Sequence, residues 1–325
     1  MTDSLLDQIQ QRIEEIDELL SMNGVDLRDK PMAAARFFVD ELIIEIKGDT
    51  KEDYLEKPWF AEIYQTIKNW YQNRFGERLN SNTEKTTLGL VFFYSAMFIL
   101  EIPRVLEVPG DEPMTKWISF PDSVQREEKP LNWIKHPPNY INMPANDRNM
   151  FKDETIWMAN INRSIHRDFV TANLSEDYQI SIAHSIPVHL SIGAKYVVGN
   201  SANINISIWQ WHLAVEKALK LYIYQKNSKP SPTHDLKLLI SEANQRGLNY
   251  KSDILTLIPN KDDAIGYRYG EGKELSEDHI YKHYKDYLRI CNSCSKALDR
   301  NMGARKARFL IQVPPWERPI KQQPN

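Results

Sequence analysis

The sequence predicts a mainly α protein with an N-terminal helical region, a small mixed α/β insertion and a C-terminal up-and-down helical bundle. Apolar residues recur at helical spacing in the first 80 residues and again from about residue 180. Between these parts, Thr86–Val108 is rich in Val, Phe, Ile and Leu, with prolines as punctuation, which is typical of strands. We therefore divide the chain into a helical region at 1–80, a mixed region at 81–179, a bundle at 180–302 and a basic tail at 303–325.

Three helices are predicted in the N-terminal region. The first carries apolar residues at helical spacing over Leu5–Leu20, with Asp and Glu between them. A second helix follows Pro31 and stops at Gly48, and a third begins at Pro58 and ends before Gly76. The apolar face of the first helix needs cover, which either a partner or internal packing would provide.

The mixed region combines short strands with a proline-rich connection. Trp117–Phe120 is a further strand candidate, and residues 121–152 hold five of the 18 prolines, so we expect a long irregular connection there. A helix is predicted over Glu154–Leu174. It carries three basic residues that are interpreted as a solvated face or as a phosphate contact: Arg163, His166 and Arg167.

The C-terminal part is predicted to contain five helices joined by short loops. Their predicted ranges are Ile186–Val198, Ala202–Gln225, Thr233–Asn244, Tyr250–Leu257 and Ser276–Leu298. Helices of this number and spacing indicate an up-and-down bundle. Ser276 is expected to cap the last helix.

Composition limits the function classes. The formal net charge of −3 at pH 7 means that any nucleic-acid contact must come from a local patch. The chain holds two cysteines, which favours a reducing compartment over a disulfide scaffold. The uncharged apolar segment Thr86–Leu100 has 15 residues, whereas a bilayer-spanning helix needs about 20. With no secretory signal evident, we expect a soluble cytoplasmic protein with no membrane partner and no cofactor.

Two neighbouring segments carry a family resemblance. Val215–Lys220 reads Val-Glu-Lys-Ala-Leu-Lys, and Thr233–Leu236 reads Thr-His-Asp-Leu at a predicted helix start that Thr233 would cap. This pair resembles the central helices of the HEPN domain (higher eukaryotes and prokaryotes nucleotide-binding). The resemblance implies a helical bundle that forms a homodimer or binds a nucleotide, RNA or a protein partner, in a stress or phage-defence setting.

The resemblance also bears on catalysis. Ribonucleases of the HEPN superfamily share an Arg and a His, with four to six residues between them, near the start of the last long helix. Here Arg268 and His279 have the right types and order, but ten residues separate them and two glycines predict a loop between them. We therefore expect a non-catalytic protein. One alternative is a metal-independent endoribonuclease with a divergent Arg268/His279 site at a dimer interface, and another is a structural assembly adaptor.

Several residues are candidates for ligand binding. Arg268 resembles an element of non-catalytic HEPN proteins, where it would bind a phosphate while Tyr267 or Tyr269 stacks on a base. Alternatively, Arg268 bridges to an acidic residue and joins the loop to the bundle. The acidic candidates for that bridge are Glu216, Asp262 and Asp263.

The helix before the Thr-His-Asp segment predicts a polar face. His212, Glu216 and Lys220 follow one another at four-residue spacing, so they share that face, as a polar groove or as an ion pair between Glu216 and Lys220. His234 is interpreted as a ligand contact or as a capping or packing residue.

No metal site is expected. His279 and His283 have the spacing of two ligands of one metal ion, but no third ligand is fixed nearby. Cys291 and Cys294 lie about 18 Å further along the same helix, which is too far to complete the site.

Overall fold

The structure is a computed structural model that describes residues 3–79, 86–140, 142–198, 203–226, 228–251, 259–300 and 308–313. The chain divides into two compact units. One comprises Met1–Glu84, Val108–Trp117 and Leu310–Asn325, and the other comprises Lys85–Glu107 and Ile118–Phe309. The predicted mainly α class is confirmed, with small antiparallel sheets beside the helices.

The first unit contains three packed helices. They are α1 (Asp3–Met22), α2 (Lys30–Phe37) and α3 (Pro58–Phe75), with a π-helical turn over Phe38–Leu42 after α2. Side chains from all three helices form one core, in which Ile9, Ile13 and Ile16 of α1 are buried, while Leu19 is 45% exposed. The side chains of Leu5 and Leu6 lie outside the described residues.

The second predicted helix is too long at its carboxyl end. Ile43 is already extended, with φ −85° and ψ 119°, and Ile44 is 96% exposed. Consecutive β-branched residues lower helix propensity at this point, and the helical conformation ends at Leu42 instead of continuing to Gly48.

The predicted strands are present. The strands β1 (Thr86–Phe93) and β2 (Ala96–Pro103) form an antiparallel hairpin in the second unit. The strands β3 (Leu106–Pro109), β4 (Thr115–Ser119) and β5 (Arg308–Gln312) form a three-stranded sheet in the order β3-β4-β5. The strand β5 is not predicted from the sequence, which indicates only a basic tail at 303–325. Residues 301–307 and 314–325 lie outside the described residues.

The second unit contains the longer helices. They are α4 (Ala145–Val170), α5 (Asp177–Val197), α6 (Ile204–Gln225), α7 (Leu236–Gln245), α8 (Lys261–Tyr269) and α9 (Glu277–Ala297). The helix α6 lies at the centre of a core that all six helices and the β1–β2 hairpin line. Trp211 on α6 is fully buried, and its ring contacts those of Tyr284 and Tyr287 on α9.

Several predicted helix boundaries are wrong. The helix α4 begins at Ala145 instead of Glu154, and α5 begins at Asp177 instead of Ile186. Pro187, which favours a helix start near Ile186, lies inside α5. The predicted helix Tyr250–Leu257 falls largely on residues 252–258, outside the described residues. The four-part division of the chain stays a prediction, although the described α4 and β1–β2 hairpin share one core with the bundle helices.

The basic cluster on α4 is not a solvated face. Arg163 is 2% exposed and Arg167 is 7% exposed. The guanidinium of Arg163 pairs with Glu128 at 2.6 Å, and that of Arg167 pairs with Asp122 at 2.5 Å and with Asp168 at 2.7 Å. The solvated-face interpretation is therefore wrong, and carboxylates already compensate both charges, which argues against a phosphate contact.

His166, the third member of this cluster, is expected to make stability depend on pH. Burial, Arg104 and His184 together lower the pKa of His166 to about 4, below the ordinary value of about 6.5. Between these two pH values the unfolded chain binds a proton that the folded chain does not. The free energy of unfolding should therefore fall by about 1–2 kcal/mol through this group between pH 7 and pH 5.

Urea unfolding of the wild type and of His166→Gln at pH 7, 6 and 5 checks this expectation. The free energy of unfolding should fall more between pH 7 and pH 5 in the wild type than in the variant, which lacks the imidazole. Parallel pH dependences would show that His166 has no part in the effect.

Within the described residues, no helix combines the length and the apolar composition that spanning a bilayer requires.

Candidate functional site

The candidate site lies along one face of α6 and on the elements that face it. Residues 209, 212, 216 and 220 follow at spacings of three and four, so their side chains lie in one row on the helix. The start of α7 and the helix α8 both pack on α6. We call the resulting surface the α6 strip, and its members are Trp209, His212, Glu216, Lys220, His234, Arg268 and Tyr269.

Glu216 is the acidic centre of the α6 strip and is 6% exposed. One carboxylate oxygen accepts a hydrogen bond from Lys220 at 2.8 Å, and the other pairs with Nδ1 of His234 at 3.0 Å. Burial raises the pKa of this carboxyl, but the hydrogen bonds from Lys220 and His234 outweigh burial and hold it below the ordinary value. Glu216 is therefore ionised at neutral pH, and the predicted pairing of Glu216 with Lys220 is present.

His212 lies beneath the surface of the strip. It is 1% exposed, its Nε2 donates to the carbonyl oxygen of His234 at 3.0 Å, and its Nδ1 is buried without a hydrogen-bond partner among the described residues. Its ring is stacked on that of Trp209, with 5.7 Å between the ring centroids. Burial lowers the pKa of His212, so the ring is neutral at pH 7. His212 thus joins α6 to the start of α7 and does not reach solvent.

The Thr-His-Asp segment orders the start of α7. The helix cap is Asp235 instead of the predicted Thr233: its carboxylate accepts hydrogen bonds from the backbone N–H groups of Lys237 at 2.9 Å and Leu238 at 3.3 Å. The hydroxyl of Thr233 accepts from the backbone N–H of Asp235 at 3.0 Å. With these neighbours fixed, the half-exposed imidazole of His234 lies against Glu216.

Arg268 lies in the last turn of the helix α8, and the predicted loop between Arg268 and His279 follows this helix at 271–276. Its guanidinium lies over the ring of Trp209 at 5.3 Å and over that of Tyr269 at 5.6 Å. Two of the three acidic groups considered as bridge partners are engaged elsewhere, because Glu216 pairs with Lys220 and His234, and Asp263 pairs with Lys273 at 3.0 Å. The third, Asp262, is exposed, and no ion pair joins it to Arg268 among the described residues. No ion pair of Arg268 is present among the described residues, and its side chain is exposed.

The two tyrosines beside Arg268 differ in orientation. Tyr267 is 4% exposed, and its ring packs so closely on Gly272 that a Cβ there would lie 2.0 Å from the ring. Its hydroxyl donates to the carbonyl oxygen of Lys273 at 3.3 Å. The ring of Tyr267 is therefore not accessible to a base, contrary to one of the predictions. Tyr269 is 68% exposed and remains the candidate for stacking.

His279 lies apart from these contacts, in the first turn of α9. Its Nδ1 lies 2.7 Å from the hydroxyl of Ser276, which also caps the helix as predicted. No hydrogen bond or ring contact joins His279 to Arg268 in the described structure. The predicted catalytic pair thus occupies two different helices, separated by the loop after Gly270.

The structure also locates the candidate metal ligands. His283 is 8% exposed, and burial lowers its pKa. Cys291 and Cys294 are buried free thiols. Across the described ranges, no three His, Cys, Asp or Glu side chains are grouped so that they could hold a metal ion.

One family model matches the chain, and its description is HEPN domain. It covers residues 194–297, which includes α6, α7, α8 and α9. The C-terminal third of the chain contains a HEPN domain. Comparison with curated proteins and with solved structures finds no match.

The α6 strip is thus a surface of the HEPN domain, and the sequence reading missed part of it. Trp209 was not singled out, although it precedes His212 by three residues and must share its face. The burial of Glu216 was also missed, since an isolated Glu-Lys pair on a helix is typical of an exposed surface.

Proposed function

We propose that the HEPN domain binds single-stranded RNA at the α6 strip without cleaving it. The observation that carries this proposal is Arg268: an exposed guanidinium held over the rings of Trp209 and Tyr269, with no carboxylate partner among the described residues. A planar cation stacked on aromatic rings is restricted in orientation and keeps its N–H donors for an outside acceptor. Phosphate oxygens are the acceptors that such a group prefers.

Other members of the strip provide the remaining contacts. The exposed ring of Tyr269 offers a face on which an unpaired base can stack. His234, which pairs with Glu216 of the strip, has 57% of its side chain exposed. Glu216 keeps Lys220 and His234 in place and compensates the charge of Lys220. The positive charge at this surface therefore comes from Arg268 and is local, as the net charge of −3 requires.

His279 lies where it cannot act together with Arg268 in the folded chain. A general acid or base must lie within hydrogen-bond reach of the atom it serves. In the folded chain, His279 contacts Ser276 and Arg268 contacts the α6 and α8 rings. An Arg268/His279 site would therefore need a rearranged loop or a second copy of the chain.

Arg268→Ala tests the binding site. Fluorescence anisotropy with a labelled single-stranded RNA should show affinity about tenfold weaker, because a phosphate contact and its stacking support are lost. The slope of log affinity against log salt concentration should decrease by about one. Arg268→Lys keeps the charge but loses the planar group that stacks on the rings, so its RNA affinity should lie between those of the wild type and Arg268→Ala. A mononucleotide presents the same base and phosphate and should compete with the RNA.

Arg74→Ala is the matched control. Arg74 also lies over a tryptophan ring, that of Trp70 at 5.0 Å, but it pairs with Glu14 at 2.9 Å. Its removal should leave RNA affinity unchanged. Equal affinity of the wild type and Arg268→Ala would reject the strip as the binding site and favour the adaptor alternative. Metal-independent cleavage that both Arg268→Ala and His279→Ala abolish would instead establish a ribonuclease.

A further inference from the structure

A cavity lies in the second unit where the ends of four helices meet. It has a volume of about 630 Å³, within the range of about 300–1,000 Å³ that is typical of small-molecule sites. The connection between α4 and α5, the first turn of α5, the last turn of α6 and the residues after α6 and α9 line it. None of the lining residues belongs to the α6 strip, so an occupant of the cavity is distinct from the proposed RNA.

The side-chain amide of Gln225 fixes the segments that line the cavity. Its nitrogen donates to the carbonyl oxygens of Asn173 at 3.1 Å and Asp299 at 2.9 Å, and its oxygen accepts from the backbone N–H of Asp299 at 2.7 Å. The backbone N–H of Asn173 also donates to the carbonyl oxygen of Asp299 at 2.8 Å. Three segments that are far apart in the chain are therefore held together, so the cavity exists before a ligand binds.

Most of the side chains that line the cavity are uncharged and polar. The polar side-chain groups of six lining residues have no hydrogen-bond or ion-pair partner within the described ranges: Asn173, Ser175, Glu176, Gln179, Tyr224 and Lys229. Amides and hydroxyls both donate and accept hydrogen bonds, which matches the hydroxyl groups of a sugar. The half-buried ring of Tyr224 packs edge to face with that of Tyr178, at 6.3 Å between the centroids, and adds an apolar surface for C–H groups.

The charged groups at the cavity balance one another. Glu176 and Lys229 contribute one charge of each sign, and the carboxylate of Asp299 pairs with Lys226 at 3.4 Å. A phosphate would therefore approach two carboxylates, and a polyamine would approach two ammonium groups, so like-charge repulsion disfavours both ligands. An uncharged ligand meets neither penalty.

We propose that the cavity binds a neutral carbohydrate, a monosaccharide or a disaccharide. The carboxylate of Glu176 accepts hydrogen bonds from sugar hydroxyls, and charged acceptors form the stronger hydrogen bonds. The amides of Asn173 and Gln179 donate to and accept from further hydroxyls, while Tyr224 packs on the C–H groups of the sugar ring. Because Gln225 holds the lining segments in place, little ordering cost opposes binding.

Saturation-transfer NMR with the full chain tests this proposal. The probes are six neutral sugars, each at about 5 mM: glucose, galactose, mannose, ribose, maltose and sucrose. At least one should receive saturation from the protein, and its signal should not change between low and high salt, since the ligand carries no charge. Glucose 6-phosphate should bind no more tightly than glucose, because its phosphate approaches Glu176 and Asp299. Absence of transfer to all six sugars, or tighter binding of the phosphate, would overturn the proposal.

Glu176→Ala and Tyr224→Leu test the location of the site. Each should weaken sugar binding at least about tenfold, because one removes a charged hydrogen-bond acceptor and the other removes the aromatic face. Glu176 is exposed and its side chain makes no cap hydrogen bond to α5, so its loss should not unfold the helix. Asp177→Ala is the matched control, because this neighbouring exposed acid does not line the cavity.

The control and the RNA assay complete the test. Asp177→Ala should bind the sugar as the wild type does, and Glu176→Ala should keep wild-type affinity for RNA. The second comparison separates this proposal from the proposed function, which rests on Arg268. Saturation transfer that persists in both Glu176→Ala and Tyr224→Leu, or that Asp177→Ala reduces equally, would show that the sugar does not bind in the cavity.

Discussion

Replacing Glu128 by glutamine is expected to lower the free energy of unfolding by about 3–5 kcal/mol. The carboxylate of Glu128 accepts two hydrogen bonds from Arg163, at 2.6 and 2.7 Å. The side chains of the arginine and the glutamate are 0% and 5% exposed. A carboxamide has a single acceptor oxygen and no charge. The guanidinium would therefore stay buried, over the ring of Trp133, without a counter-charge.

Urea denaturation followed by circular dichroism measures this effect, and Glu101→Gln is the control. Glu101 also forms a close ion pair, at 2.8 Å from Nζ of Lys135, but both of these side chains are about half exposed. This control should change the unfolding free energy by less than about 1 kcal/mol. The double variant Arg163→Met with Glu128→Leu should recover much of the loss, because it removes both charges. Equal losses of unfolding free energy in Glu128→Gln and Glu101→Gln would mean that the burial of the Arg163–Glu128 pair does not increase its effect on stability.

Gly193→Ala is expected to destabilise the protein by about 2–3 kcal/mol, although alanine is the better helix former. Gly193 lies inside α5, and a Cβ there would lie 2.2 Å from Nε1 of Trp211. Trp211 is fully buried, and its Nε1 donates to the carbonyl oxygen of Leu190 at 3.3 Å. The indole would have to move, which breaks this hydrogen bond and disturbs the packing of α5 on α6.

Gly266→Ala provides the comparison, because this glycine also lies inside a helix, α8. A Cβ added there would lie 3.4 Å from its nearest neighbour, the carbonyl oxygen of Glu271, which is an ordinary contact. Here helix propensity alone operates, so the substitution should stabilise by up to about 1 kcal/mol. Thermal and urea unfolding of the two variants should therefore show changes of opposite sign. If Gly193→Ala also stabilises, the close contact with Trp211 is not a constraint on the fold.

Helix ends and buried helix faces can be predicted from the residues of the segment itself. Pro58 and Gly76 marked the ends of α3, and the apolar spacing of α6 marked its buried stripe. The helix α8 was missed because it has nine residues with Gly266 near its centre. Its cap, Asn260, was the available signal, since its side chain accepts from the backbone N–H of Asp263.

Contacts between distant segments could not be read from the sequence. A basic residue in a helix is normally exposed, so the burial of Arg163 becomes understandable only with Glu128, which lies 35 residues away in the chain. The row from His212 to Lys220 was predictable from its spacing. The position of Arg268 over Trp209 was not, because it depends on how α8 packs on α6.

The stack on the α6 strip has an optical consequence. The indole of Trp209 contacts two side chains, the exposed guanidinium of Arg268 and the buried imidazole of His212. An anion that binds Arg268 would change the first of these contacts. The emission of Trp209 is therefore coupled to the occupancy of the surface above it. The chain contains eight tryptophans. Subtracting the fluorescence spectrum of Trp209→Phe from that of the wild type would isolate the emission of Trp209, so that ligand binding can be followed without a label.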